Sequence, residues 1–254
     1  MTVSGFDTQL DQFQQWRQSP LEQLRHTLTE ANLLRHVSGP RQILDVAGGN
    51  GLAAVRLATR GHEVTVLDPA GAMLRTAIEM AELHGVADRL HVVQAGAQDA
   101  HEVLGEHQFD VVLCHNLLHY ADGVDERREV LAAITAPLRD GGLLSVLGPN
   151  DDFTPVQTTV RELAPSVALA ELAGAEPQWP TATRCTPAEI IGLLVELGVE
   201  EVVRYGVRCL SDLVPDEHAE DPAFLADLER LELALSDRMP HLLTARYYHL
   251  VARL

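Results

Sequence analysis

The sequence predicts an α/β fold: a mostly parallel sheet with helices on both faces. Three observations predict it. Short apolar runs alternate with amphipathic segments of helical length between residues 41 and 148. The first run leads into a glycine-dense loop, 44-LDVAGGNG-51, followed by the helix-like LAAVRLATR. The first two runs carry acidic residues, Asp45 and Asp68, at their ends.

Taken in order, residues 6–37 read as helical, with Pro20 suited to a first turn and Leu21, Leu24, Leu28, Leu33, Leu34 and Val37 near helical spacing. Gly39-Pro40 closes that region. RQILDVA (41–47) is a buried strand, and 52–60 a helix stopped by Gly61. HEVTVLD (62–68) is the second strand, 72–84 a helix ending at Gly85, and LHVVQAG (90–96) the third strand. A short helix near 100–105 precedes FDVVLCH (109–115), the fourth strand. A helix over 124–138 and Gly141-Gly142 lead to the fifth strand, LLSVLG (143–148). The rhythm then breaks. Prolines 149, 155, 165, 177 and 180 punctuate an insertion with helical material near 156–172. A helix at 187–197, a strand at 200–210, a loop and helix over 211–239 and a strand at 245–254 complete the chain. The expected organisation is an N-terminal helical cap (1–40), a cofactor-binding core (41–150), a substrate-side insertion (151–186) and a C-terminal completion of the sheet (187–254).

Composition excludes several classes. The chain has 254 residues and a formal net charge of -18, which opposes polyanions such as nucleic acid. Its 19 basic residues are all Arg, so neither a lysine Schiff base nor a P-loop lysine is available. The three cysteines, Cys114, Cys185 and Cys209, lack metal-ligand spacing and read as small reduced hydrophobes, so no metal site is expected. No apolar run has the length a bilayer requires, and the polar N-terminus has no signal pattern, so a cytoplasmic protein is expected.

The loop asks which nucleotide it serves. Gly49-Asn50-Gly51-Leu52-Ala53-Ala54 satisfies G-x-G-x-x-[GA], a weak signal alone but placed after a strand and before a helix. Asp45 makes the distinction. A carboxylate there repels a pyrophosphate and attracts an ammonium. S-adenosylmethionine carries an α-ammonium and a sulfonium and no phosphate, so it fits where a nicotinamide dinucleotide does not. Asp68 suits the ribose hydroxyls, or a turn before Pro69. Asp99, after Gln98, suits the adenine amine, or a helix cap.

LDVAGGNG, VTVLD, AGAQD, FDVVLCHNLLHY and LRDGGLLSVLG, in that order, resemble the class I S-adenosylmethionine-dependent methyltransferases over roughly residues 41–150. The resemblance implies a Rossmann-like seven-stranded sheet whose last strand is antiparallel, and S-adenosylhomocysteine as the spent product. Ala47 stands where that family's first loop glycine is usual; a small residue fits there if its backbone angles are ordinary. TPAEIIGLLVELG, YGVRCLSDLV and LERLELALSDRMPHLLTARYYHLVARL are similar to the bacterial tRNA 5-carboxymethoxyuridine methyltransferases, as is LEQLRHTLTEANLL. That likeness implies Arg25, Gly48, Gly49, Asp68, Gln98 and His115 around the cofactor, with Arg25 on its carboxylate. With Asp45, Ala47, Gly51 and Asp99 these make the expected cofactor set. Two departures point away from tRNA. AGAEPQWPTATRCT, with one arginine, stands where a basic run is usual, and His119-Tyr120 where the family has Glu-Trp. The expected acceptor is therefore a carboxylate of a small molecule or peptide, with tRNA as the alternative.

A carboxylate is ionised near neutral pH and needs no base. It needs a bidentate cation to hold it. Arg208 and Arg246, on the two late strands, are candidates, with Tyr247 or Tyr248 as a hydroxyl donor. Strand alternation puts Arg246 with Tyr248 on one face and Tyr247 on the other. His115 or His119 as a general base would suit a hydroxyl or amine acceptor of a natural product instead. A nucleoside-binding module without turnover is the reading from another class.

Overall fold

The computed structural model describes residues 20–173, 185–199, 201–215, 218 and 221–254. Its sheet has seven strands: β1 (Gln42–Val46), β2 (Glu63–Leu67), β3 (Leu90–Val93), β4 (Phe109–His115), β5 (Leu138–Pro149), β6 (Glu201–Val207) and β7 (Tyr247–Arg253). The strand order is β3-β2-β1-β4-β5-β7-β6, and β7 runs antiparallel to both of its neighbours. The other pairings are parallel. This is the Rossmann-like seven-stranded sheet with an antiparallel last strand that the resemblance implies.

The central strands β1, β4 and the inner part of β5 read as nearly continuous apolar runs because both faces are covered. Leu44, Val46, Val112, Cys114, Leu144 and Val146 pack on one face against α5 (Gly123–Thr135) and α8 (Pro187–Glu196). Ile43, Val64, Val66, Val111, Leu113 and Val251 pack on the other against α2 (Leu52–Thr59) and α3 (Gly71–Leu83). All three cysteines are buried free thiols.

Helix α1 (Pro20–Leu34) covers this second face. Leu21, Leu24 and Leu28 pack with Leu147, Val207 and Tyr247 and with Leu228 of α9 (Pro222–Leu235). Glu30 ties α1 to α2 by ion pairs to Arg56 (2.6 Å) and Arg60. The part of the expected helix before Pro20, like Pro177 and Pro180 of the insertion, lies outside the described residues.

Several boundaries differ from the sequence reading. Strand β5 starts at Leu138, which pairs with Phe109 before a register shift. Pro137, lacking an N–H, ends the preceding helix at Thr135 instead of 138. The helical material near 156–172 is two helices, α6 (Thr154–Val160) and α7 (Pro165–Leu172), broken where Leu163 has φ 53° and Pro165 follows. Strand β6 stops at Val207 because Arg208 takes φ 62°. The remaining helix, α4, spans Ala100–Leu104.

Candidate active site

The strand order reverses between β1 and β4, so the loops after them diverge and leave a crevice at their carboxyl ends. Two cavities open there, of about 400 Å³ and about 260 Å³, and Ala47 and Tyr120 belong to both walls. Side chains alternate along a strand. Asp45 therefore shares its sheet face with Ile43, and His115 shares it with Leu113, beneath α1.

Asp45 is buried in the wall of the larger cavity, and its Oδ2 has no hydrogen-bond partner. Burial, with the charge of Asp68 added, pushes its carboxyl up to about 7. An orphaned buried carboxylate oxygen facing a cavity is the feature an ammonium-bearing ligand would complete. Gly48 passes so close that a Cβ there would lie 2.7 Å from Asp45 Oδ2. Gly49 donates its N–H to Asp68 Oδ2 at 2.9 Å, and Asp68 Oδ1 accepts from Ala70 N at 2.8 Å. Asp68 thus acts as the turn residue, and it also lines the smaller cavity beside Gln98. The donor set fits S-adenosylmethionine: an unpaired anion at one end, Asp68 and Gln98 at the other, and no lysine to grip a phosphate.

The larger cavity is walled on the α1 side by Arg25, His26, Thr29 and Glu30, and on the sheet side by His115, Leu147 and Tyr247. His119, Tyr120 and Arg246 complete its mouth. Arg25 is oriented by Glu22 at 2.8 Å. The guanidinium carbons of Arg25 and Arg246 each lie 5.6 Å from the Tyr247 ring centre. Backbone bonds fix Arg246: its N–H donates to Arg208 O at 3.0 Å and its carbonyl accepts from Asn150 N at 2.9 Å. Its ion pair with Asp212 is long, at 3.9 Å. His115 Nε2 is 2.8 Å from Ser145 Oγ. Burial, then the nearby Arg25 charge and His26, pushes His115 down to about 3. Burial and the Arg127 charge push His119 down to about 4.

Of the expected residues, Arg25, Asp45, Ala47, Gly48, Gly49, His115, His119, Arg246 and Tyr247 line the larger cavity; Asp68 and Gln98 line the smaller. Four do not line either, Tyr248 among them. Arg208 is buried behind the wall, ion-paired to Glu22 and, at 2.6 Å, to Asp212, so the expectation of substrate contact is corrected. Gly51 begins α2 with φ 71°, and a Cβ there would meet Ala77 Cβ at 2.6 Å; its role is helix packing. Asp99 accepts from Gly96 N at 3.3 Å, the cap alternative.

Two geometric expectations also change. Ala47 has φ 53°, so its angles are left-handed and strained for a residue with a Cβ. Arg246 precedes the first residue of β7 and escapes the pleat, so Tyr247, not Tyr248, accompanies it. Tyr248 is buried on the opposite face, 3.5 Å from Cys185 Sγ. Sequence reasoning missed His26, Asn116, Ser145 and His249. Ser145 and His249 were signalled as single polar residues inside apolar runs, LLSVLG and YYHLVA.

A family model described as "Methyltransferase domain" matches residues 43–142, the span from β1 into β5 that carries the glycine loop and His115. The chain is 29% identical over 239 residues to the tRNA 5-carboxymethoxyuridine methyltransferase of Escherichia coli (strain K12), covering 91% of this chain and 88% of that one. Residues 43–142 therefore carry a methyltransferase domain, and the chain as a whole is similar to S-adenosylmethionine-dependent methyltransferases. Solved structures agree on the fold. A methyltransferase of Thermotoga maritima superposes with a TM-score of 0.60 at 14% identity, covering 98% of this chain and 97% of that one. The 1,6-didemethyltoxoflavin-N1-methyltransferase of Burkholderia thailandensis, with S-adenosylhomocysteine bound, has a TM-score of 0.56 at 18% identity, covering 98% of this chain and 85% of that one. Among the described residues no helix is long and apolar enough to cross a membrane, and no cluster of metal-ligating side chains occurs.

Proposed function

We propose that this methyltransferase converts a carboxylate of a small molecule or peptide into its methyl ester. One observation carries the reading: Arg246 faces the same cavity as two histidines held far below the basicity of a useful general base. Neither histidine is a matched base for an acceptor that must lose a proton, and Asp45 in the same cavity is taken up by the cofactor's ammonium in this reading. A carboxylate needs none, and a guanidinium binds it through two parallel hydrogen bonds.

In this reading Asp45 receives the cofactor's ammonium, Arg25 its carboxylate, and Asp68 and Gln98 its adenosine. S-adenosylmethionine, when bound there, would supply an electrophilic methyl group and leave as the neutral thioether. Arg246 and Tyr247 hold the acceptor carboxylate in line. Positioning of this kind lowers barriers by on the order of 7–11 kcal/mol in favourable systems. Tyr120, 59% exposed and shared by both cavity walls, stands at the rim where the acceptor enters.

A second reading, methylation of a tRNA wobble carboxymethoxyuridine, is favoured by the Escherichia coli relative that matches 91% of the chain. It keeps the same acceptor group, and the net charge of -18 opposes it. The discriminating experiment offers isotopically labelled methyl donor with small organic acids, acidic peptides and tRNA bearing carboxymethoxyuridine. Label on acids or peptides supports the first reading. Label on the tRNA alone replaces it with the second. Label on an amine or hydroxyl overturns both.

A further inference from the structure

Behind His115 lies a polar path through an otherwise apolar layer. Ser145 Oγ is 2.8 Å from His115 Nε2 and 2.8 Å from His249 Nε2. Ser145 and His249 are fully buried, on β5 and β7, and the two imidazoles sit edge to face at 5.8 Å. His249 Nδ1 is buried without a partner. Its neighbour Tyr205, 6.0 Å away ring to ring, directs its hydroxyl instead to His36 Nε2 at 2.7 Å.

Counting protons fixes the direction of this chain. A serine hydroxyl has one hydrogen and two acceptor sites, and a neutral imidazole has one N–H. Among the described residues Ser145 Oγ has no partner besides the two histidines. Its hydrogen must go to one ring, and the other ring must donate to it. If His249 accepted, its own N–H would sit on the buried, partnerless Nδ1. Buried orphan N–H groups are rarer than under-used acceptors, and an unsatisfied buried group costs about 1–3 kcal/mol. His249 therefore carries its proton on Nε2 and donates to Ser145, and Ser145 donates to His115 Nε2. The His115 proton is then on Nδ1, the ring nitrogen left without a protein partner in the cavity wall.

We infer that Ser145 and His249 are positioning residues that lock His115 as a neutral Nδ1–H donor, so that the end of β4 offers the cavity a fixed hydrogen bond for an oxygen anion instead of a base. The direction rests on the geometry alone; its purpose rests on the carboxylate reading, where the donor steadies an oxygen of the acceptor or of the cofactor carboxylate. A lone pair at this nitrogen would repel both.

The test is long-range proton–nitrogen NMR on protein labelled at its 12 histidines, with single His→Asn variants for assignment and no acceptor present. The expected result is His115 as the Nδ1–H tautomer and His249 as the Nε2–H tautomer, unchanged from about pH 5 to about pH 8. His115 as the Nε2–H tautomer in the unsubstituted protein overturns the inference, whatever the acceptor proves to be. Ser145→Ala and His249→Leu should release His115 into a mixture of tautomers. In turnover they should lower kcat about threefold to tenfold and leave KM for the methyl donor nearly unchanged. His249→Gln, whose amide N–H replaces the Nε2 donor, should restore both the tautomer and the rate. A folded Ser145→Ala protein with an unaltered His115 tautomer also overturns it. Failure to form any methyl ester would remove the carboxylate reading and leave the NMR result standing.

Discussion

Cofactor binding should expel a proton from Asp45. The carboxyl is pushed up from 3.8 to about 7 by burial and by Asp68. That difference corresponds to on the order of 4 kcal/mol between its two protonation states. The sign follows from linkage. With a raised folded-state pKa, the empty fold binds more protons than the unfolded chain between about pH 4 and about pH 7. The empty protein therefore loses stability as pH rises through that window. An ammonium placed on Oδ2 reverses the preference and favours the carboxylate. At pH 6 about 0.9 of the empty sites are protonated, so binding S-adenosylhomocysteine should release about 0.9 proton. From pH 6 to pH 7 the ionised fraction rises from about 0.1 to about 0.5, so Kd should fall about fivefold. The α-amino group of the ligand stays largely protonated over that range. Titration calorimetry in two buffers of unequal ionisation enthalpy reads the proton count directly. Asp45→Asn should abolish both the release and the pH dependence. Tight binding at pH 6 with no proton released would refute the ammonium–Asp45 contact.

Substitutions in the loop and the arginine cluster separate structure from chemistry. Ala47→Gly relieves a left-handed Cβ cost of about 1–2 kcal/mol and adds unfolded-state entropy of about 0.5–1 kcal/mol, so Tm should rise slightly in a thermal melt; a clear fall would contradict the strain. Gly51→Ala drives a Cβ into Ala77 at a residue with φ 71° and should destabilise by about 2–3 kcal/mol, read by denaturant unfolding. Arg208→Ala removes the shortest ion-pair partner of buried Glu22 and Asp212, leaving Glu22 with Arg25 and Asp212 with only the long Arg246 contact, and should cost up to about 3–5 kcal/mol of stability. Arg246→Ala should leave Tm within a few degrees and lower kcat/KM for the acid acceptor about a hundredfold, the loss of a charged bidentate contact. Equal behaviour of the two arginine variants would contradict their separation by the cavity wall.

The parallel half of the sheet was legible because short strands rich in Val, Ile and Leu alternate with helices that each end at a glycine or proline. The place of Asp45 in the cavity wall was legible because it ends the first strand just before the glycine loop. The arginines were less so. Arg208 and Arg246 look equivalent in YGVRCL and ARYYH, and only tertiary packing brings Glu22 and Asp212 onto one of them. Strand alternation misplaced Tyr247 because it assumes a pleat running from 245, whereas the strand begins at 247, one residue after Arg246. The left-handed angle at Ala47 has no sequence marker except the glycine usual there in relatives. The relay through Ser145 and His249 depends on three strands, β4, β5 and β7, being neighbours, which local pattern does not encode.

The central claim is that the acceptor group is a carboxylate, and the stability of the transferred methyl to alkali tests it most directly. Product made with donor labelled in the methyl group should release volatile labelled methanol on mild alkaline treatment, as an ester must. Label that survives alkali as a stable N-methyl or ether methyl would contradict the account.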